Sequence, residues 1–304
     1  MKNYVLGVVG QGFVGNAFRE GMKNKFTVET YDKFIADKST RPTLEALVDN
    51  ADVLFVSVPT PMRRSGECDL SIVESVLQEI YDCVAVCSSF KRKEVVIRST
   101  TPPGSCAAWH KKFGQKLEVI FNPEFLTEVN AVKDFANQNR VVLGFTGATA
   151  VVPGAGEQTA TYAIYKHAFP DVPILSLPSA AAELVKYTTN IFLATKVSLA
   201  NELYQICGAL GVDYDQMIEA AKHDDRLGDS HWLVPGPPQV HDATPRFGFG
   251  GHCFPKDLNA LRFLAEQVGL SPTMLKAVWE KNLEVRQSAA RDWEGMTGRA
   301  VSDS

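Results

Sequence analysis

Short runs of β-branched and other apolar residues recur through the first half of the chain, and stretches with apolar residues at helical spacing separate them. The runs are YVLGVVG near the N-terminus, TVETYD, DVLFVSVP (52–59), EVVIRST (94–100), LEVIF (117–121) and RVVLGF (140–145). Strands that are apolar throughout, alternating with helices, predict a parallel sheet covered on both faces. After RVVLGF, TGATAVVPGAG reads as a flexible connection, YAIYKHAF as a helix and VPILSL as a last, edge strand.

The second half has a different rhythm. From Ser179 the chain has neither proline nor glycine before Gly208, which predicts one long helix. Its flanking residues Leu184, Val185, Ile191 and Phe192 predict burial on nearly every side. YDQMIEAAKH predicts another helix, and a polar, proline-rich stretch, DDRLGDSHWLVPGPPQVHDATPR, follows it. PKDLNALRFLAEQVG predicts a helix with Pro255 near its first turn, where proline is tolerated. SPTMLKAVWEKNLEVRQSAARDWEGM predicts a last helix, and GRAVSDS a frayed tail.

Glycines sharpen the first half. YVLGVVGQGFVGNAF is a strand, a turn at Gly10-Gln11-Gly12, and a helix beginning with Phe13, Val14 and Gly15. Gly10 allows the tight turn, Gly12 lets a pyrophosphate approach the backbone, and Gly15 lets the helix pack on the strand. TVETYD then ends in Asp32, about 20 residues on, where a carboxylate binds ribose hydroxyls. Such an acid repels a 2′-phosphate and favours NAD. Thr60-Pro61, Ser99-Thr100 and Asn122-Pro123-Glu124 fall at strand C-terminal ends, where cofactor contacts gather. The predicted fold class is α/β: a Rossmann-like doubly wound parallel sheet (1–177), then an all-helical domain built on one long central helix (178–304).

Composition excludes several partners. The chain has 304 residues, 45% of them hydrophobic, and a formal net charge of −4, enough for a sizeable core and two domains. No dense basic run marks a nucleic-acid or anionic-membrane surface, and KRK (91–93) reads as a solvated turn. No apolar stretch approaches the ~20 residues of a membrane span, and the N-terminus runs into a strand instead of a signal-peptide pattern; the expectation is a cytoplasmic protein. The six cysteines form no C-x-x-C pair, which argues against disulfides and structural zinc, and no metal is expected.

One of those thiols stands in a distinctive place. FGFGGHCFPKD sets Cys253 among glycines directly before a predicted helix; glycine lets backbone approach a ligand, and a helix start favours a thiolate. The alternative is a small core residue beside close-packed glycines. Lys186 and Asn190, at i and i+4 of the long helix, share a face; the alternative there is a Lys186–Glu183 pair on a solvated surface. An NAD enzyme that only interconverts alcohol and ketone has no need of a nucleophile. A thiolate can instead hold an aldehyde as a thiohemiacetal, which loses hydride to become a thioester that water hydrolyses to an acid.

VGQGFVG, VPTP, ST-x-PPG, NPEFLTE, K-x-x-x-N and FGFGGHCFPKD, in this order, resemble the UDP-glucose/GDP-mannose dehydrogenase family, from residue 4 to roughly residue 290. The resemblance implies a four-electron oxidation of a nucleotide sugar's primary alcohol to the uronate, UDP-glucose to UDP-glucuronate, with two NAD in succession, as in polysaccharide biosynthesis. By motif position it implies Cys253 as nucleophile, Lys186 assisted by Asn190 as oxyanion stabiliser, Asp257 in proton transfer, and Glu124 with Thr100 on the hydrolytic water. It gives NAD to Gly10, Gln11, Gly12, Phe13, Val14, Gly15, Asp32, Thr60, Pro61, Ser99, Thr100, Glu128 and Lys256. It gives the substrate to Phe125, Leu126, Thr127, Lys186, Asn190, Phe249, Gly250 and Phe254. Arg226, in DDRLG, matches an arginine that reaches the sugar nucleotide across a dimer interface, so a homodimer built on the long helix is implied.

The family usually continues for another ~100 residues or more, a further domain that closes over the nucleotide. A compact member and a fragment both fit the sequence. In a compact member HWLVPGPPQVHDATPR is the candidate grip, with Trp232, His231, His241 and Arg246 set to stack on a base or bind phosphate; the alternative is a surface loop held by prolines. Arg98 stands where the family commonly has lysine, and Val129-Asn130 where it has a glycine, which bears on cofactor affinity. GDP-mannose or UDP-N-acetylhexosamine oxidation would use the same catalytic set. A two-electron hydroxyacid dehydrogenase and a non-enzymatic NAD-binding partner are the remaining alternatives.

Overall fold

The computed structural model describes residues 3–86, 92–236, 246–286 and 291–302; His241 and Cys87 lie outside them. The chain divides into two compact units, Met1–Thr60 with Leu70–Lys186, and Pro61–Asp69 with Tyr187–Ser304.

The first unit is a seven-stranded sheet in the order β2-β1-β3-β4-β5-β6-β7. Its strands are β1 (Val5–Val9), β2 (Thr27–Tyr31), β3 (Val53–Val56), β4 (Lys93–Ile97), β5 (Leu117–Phe121), β6 (Val141–Phe145) and β7 (Ile174–Pro178). Helices α1 (Phe13–Met22), α2 (Leu44–Asn50), α3 (Ser71–Val86), α4 (Ser105–Phe113), α5 (Ala131–Ala136), α6 (Gly147–Val151) and α7 (Ala160–Ala168) connect them. Alternate strand residues point to opposite faces. Leu6, Val8, Phe55, Val96 and Ile120 pack with Phe18 and Phe135 on one side. Val9, Leu54, Val56, Val95, Ile97 and Val119 pack with Leu77 and Phe113 on the other. Burial on both faces is why these strands read as continuous apolar runs.

Three expectations are corrected here. The sheet is parallel except between β5 and β6, which meet antiparallel through Phe121 and Gly144. A parallel return needs a crossover that runs back along the length of the strands, usually a helix. The helix available, α5, has only 6 residues and is packed on α1, with Phe135 at 5.6 Å from Phe18, ring to ring. The TGATAVVPGAG connection holds α6 instead of being uniformly loose. In KRK, Lys93 opens β4 and donates to the carbonyls of Val48 (2.9 Å) and Ala51 (2.5 Å), while Arg92 pairs with Glu118 at 3.0 Å; this is an anchored strand entry.

The boundary between the units falls within α8 (Ser179–Leu210). The second unit adds α9 (Tyr214–Ala221), α10 (Phe254–Gln267) and α11 (Thr273–Val285). Gly208 is carried inside α8, which ends at Gly211, φ +69°, a backbone that suits glycine after a helix. The last helix is shorter than its sequence pattern: Arg286 is extended (φ −100°, ψ 92°), and among the described residues that follow is a 3-10 turn, Asp292–Gly295. The tail is pinned where fraying was expected, because Met62 N–H donates to the Ala300 carbonyl (2.8 Å) and Ser302 N–H to the Met62 carbonyl (2.9 Å). Among the described residues no helix is long and apolar enough to cross a membrane, and no cluster could hold a metal ion.

Candidate functional site

In the first unit the three glycines of the turn divide their work. A Cβ at Gly10 (φ +89°) would lie 2.6 Å from the Ser57 carbonyl oxygen, and one at Gly15 only 1.9 Å from the Gly10 carbonyl oxygen. Those two let strand, turn and helix pack. At Gly12 nothing lies within 4 Å, so the N-terminus of α1 is open to a close ligand there. Asp32 braces the turn from β2: one carboxylate oxygen accepts from Gln11 N–H (2.7 Å), the other from Phe34 and Ile35 N–H (2.9 Å each). Phe13 and Glu128 line one cleft of about 540 Å³ with Asn16. The open glycine, the helix start and the acid at the end of β2 fit a dinucleotide.

The other expected cofactor contacts also hold the strand ends together. The Thr60 hydroxyl donates to the Thr100 carbonyl (2.8 Å), and the Ser99 hydroxyl to the Val58 carbonyl (2.7 Å) while accepting from Val58 N–H (3.0 Å). Arg98 turns inward, bonding Asn122 and Tyr165 and lying over the rings of Phe18 (5.2 Å) and Phe135 (5.5 Å).

Glu124 and Lys186 form a buried pair, Nζ to Oε1 at 2.8 Å, with side chains 5% and 3% exposed. The second Glu124 oxygen accepts from Leu126 N–H at 2.7 Å, which ties the carboxylate to its own loop. Glu124, Phe125 and Leu126 line a cavity of about 310 Å³. Thr127 is exposed and held by Asp134, to which its hydroxyl donates at 2.6 Å. Glu183, the alternative partner for Lys186, is instead fully buried and caps α4, accepting from Gly104 N–H (2.6 Å) and Cys106 N–H (2.8 Å). Burial pushes its carboxyl above the usual range, against the pull of those amides.

In the second unit, Asn190 donates to Asp257 (2.6 Å), whose other oxygen accepts from Lys256. All three are buried. Burial works against the Lys256 charge, yet Asp257 next to it, with Cys68 and Cys253 nearby, raises its pKa above the ordinary lysine value. Cys253 is the N-cap residue of α10 and half-buried; Lys256 and Asp257 occupy the turn that follows. Cys68, Cys106 and Cys207 are buried thiols, and burial pushes Cys106 well up.

Two of the glycines before Cys253 are required by the protein's own packing. A Cβ at Gly248 would meet Asn282 Oδ1 at 2.4 Å, and one at Gly250 would meet Arg286 at 2.3 Å and Asp292 at 2.4 Å. Only Gly251 (φ +71°) has open space. Asn282, fully buried, accepts from Phe249 N–H (2.7 Å) and donates to the Phe249 carbonyl (3.1 Å); Asn201 accepts from Gly248 N–H (3.1 Å). Sequence reasoning missed Asn201, Asn282, Arg286 and Asp292. A signal existed for Asn282, a polar residue one turn after Val278 on an apolar helix stripe. Phe249 is a core side chain, whereas Phe254 is half-buried.

The described parts of the preceding loop, up to residue 236 and from residue 246, are also well engaged. Trp232 donates to the Gly228 carbonyl (2.8 Å), carries Lys196 over its ring at 4.7 Å, and is 7% exposed. That places its indole in the core, not where a base could stack. Arg226 is exposed and bonded to Asp224, and Arg246 stands 3.7 Å from Asp292. His231 has φ +71°, and burial, then Lys196, holds its pKa below the usual histidine value. The unfolded chain therefore takes up the proton first, so stability is full above about pH 6.5 and drains as pH falls from there toward the folded value. His231→Gln is expected to flatten the dependence of Tm on pH below about 6.5; an unchanged slope would show that this ring is not the group responsible.

Residues 29–168 match the NAD binding domain of the UDP-glucose/GDP-mannose dehydrogenase family, and residues 180–284 its central domain. A UDP-glucose 6-dehydrogenase of Rickettsia conorii is 34% identical over 238 residues, 77% of this chain and 50% of that protein. A GDP-mannose 6-dehydrogenase of Pseudomonas aeruginosa is 33% identical over 258 residues, 81% and 53% of the two chains. The solved UDP-glucose dehydrogenase of Pyrobaculum islandicum aligns with TM-score 0.79 at 29% identity, covering 92% of this chain and 68% of its own. The chain spans about half the length of the first two relatives. With two domains of one family matched in order along most of its length, the chain belongs to the UDP-glucose/GDP-mannose dehydrogenase family and carries its NAD-binding and central domains.

Proposed function

We propose that the protein oxidises the primary alcohol of a nucleotide sugar, UDP-glucose first among the candidates, to the uronate. The observation that carries this reading is the pairing of Glu124 with Lys186 and of Asn190 with Asp257 from successive turns of α8, with Cys253 heading the helix that bears Asp257. Bound NAD supplies a hydride acceptor for each of two oxidations, and the turn at Gly12 with Asp32 is its holder.

The chain's own groups handle the charge. Lys186 and Asn190 stabilise negative charge on the reacting oxygen, and Asp257 manages the alcohol proton. The Cys253 sulfur bonds to the aldehyde carbon, and loss of a second hydride turns that thiohemiacetal into a thioester. Glu124, with Thr100, draws a proton from the attacking water; the C–S bond breaks and the thiolate leaves. Per sugar, one water is consumed and two hydrides and three protons are released. Lys256, buried against Asp257, serves this proton-handling pair in addition to any contact with the cofactor.

The functional form is a homodimer. Phe192, Leu199 and Ile206 recur at heptad spacing on α8 and are 65%, 48% and 47% exposed, an unpartnered apolar stripe suited to a second copy of the helix. Arg226, exposed near it in sequence, is the residue to reach a partner's substrate. The reading is tested by mixing the protein with NAD and a panel of UDP-glucose, GDP-mannose and UDP-N-acetylhexosamines, and counting NADH per sugar. Two NADH for one sugar is the expected result. One NADH would make it a two-electron dehydrogenase, and none with any sugar would make it an NAD-binding partner protein.

A further inference from the structure

Arg286 and residues 291–302 lie beyond the match to the family's central domain, which ends at 284, and Arg286, Asp292 and Trp293 pack at the loop that leads into Cys253. One Asp292 oxygen accepts from Gly251 N–H at 3.1 Å, and the other from Arg286 at 2.9 Å. The Arg286 side chain is 1% exposed and lies over the Trp293 ring at 5.6 Å. Trp293 is itself buried and packs on Trp279 of α11, 5.5 Å between ring centres. Gly250 is glycine because Arg286 and Asp292 fill the place of its Cβ. Farther on, the chain turns back, with Ala300 N–H on the Met296 carbonyl (2.9 Å), and Val301 bridges Met62 of the Pro61–Asp69 loop. In that loop a Cβ on Gly66 would touch Asn259 of α10 at 3.5 Å.

We propose that residues 291–302 are a strap that positions Cys253, with Asp292 as its positioning residue. A buried arginine needs its counter-charge, so Arg286 fixes Asp292, and Asp292 fixes the backbone at Gly251, two residues before the thiol. The bridge at Met62 holds the far end of the strap. The role does not depend on which substrate is used; only its effect on uronate yield rests on the function proposed above.

The test uses the full chain. In Asp292→Ala, iodoacetamide is expected to alkylate Cys253 at least about 5-fold faster at neutral pH, read on the Cys253 peptide by mass spectrometry, and deuterium uptake is expected to rise across residues 247–253. Asp292→Glu keeps the counter-charge for Arg286 and an acceptor for Gly251 N–H, and is expected to restore most of the protection. Glu183→Gln, a destabilising change in the other unit, is expected to leave the alkylation rate unchanged. Should Asp292→Ala fail to fold, Gly250→Ala asks the same question, since its methyl forces Arg286 and Asp292 away. Wild-type alkylation and uptake in the folded variant overturn the proposal. As a separate arm, uronate per NADH falls in Asp292→Ala while KM for NAD holds; absence of turnover in the wild type sinks the functional reading and leaves the strap standing on its alkylation result.

Discussion

Cys253→Ser is expected to lower uronate formation by on the order of 10³-fold or more, with NADH and sugar consumption no longer in the ratio of two to one. The hydroxyl that replaces the thiol is a poor nucleophile at neutral pH. Without a covalent adduct the aldehyde either stays bound or leaves, and the second hydride is not delivered. On the proposed mechanism the first oxidation does not require the thiol and is expected to continue at a reduced rate. Product mass and NADH yield, followed together, read both halves. Full uronate production by the variant would refute the nucleophile assignment and return Cys253 to the status of a packing residue.

The buried Glu124–Lys186 pair gives the second large effect. Lys186→Met leaves the Glu124 carboxylate 5% exposed without its cation, and removing one partner of a buried pair costs about 3–5 kcal/mol. On the proposed mechanism, loss of the oxyanion donor is expected to lower kcat by roughly 10²–10³-fold as well. A double variant separates the two consequences. In Lys186→Met/Glu124→Gln no unpaired charge remains, so urea unfolding is expected to recover most of the lost stability, whereas kcat stays low. Recovery of kcat along with stability would mean that the pair only holds the loop at Pro123–Leu126 in place.

Much of the architecture was legible beforehand because its causes are local. The inner strands of the first unit are apolar at consecutive positions because both faces are covered, and all seven strands lie where their runs predict. The glycine turn was readable for the same reason: backbone crowding at Gly10 and Gly15, and free space at Gly12, are properties of the turn itself. Lys186 and Asn190 stood out as polar residues on an apolar helix. Glu124 and Asp257 were named through their motifs, but their pairing with Lys186 and Asn190 was not readable, because the partners are 62 and 67 residues apart along the chain.

What the sequence determined by itself was therefore the periodic and the local: strands, helices, the dinucleotide turn, the helix start at Cys253, and through their order the family. What only the tertiary structure decided was pairing at a distance. It assigned Glu183 to the cap of α4 and Glu124 to Lys186, ran β6 against β5, and buried Trp232 in the core. It also turned an expected frayed tail into a pinned one. The glycines before Cys253 show the difference most directly. From sequence they read as room for a ligand, yet two of the positions are occupied by Asn282, Arg286 and Asp292. Close packing decides such matters, since which side chain fills a gap depends on elements that periodicity cannot bring together.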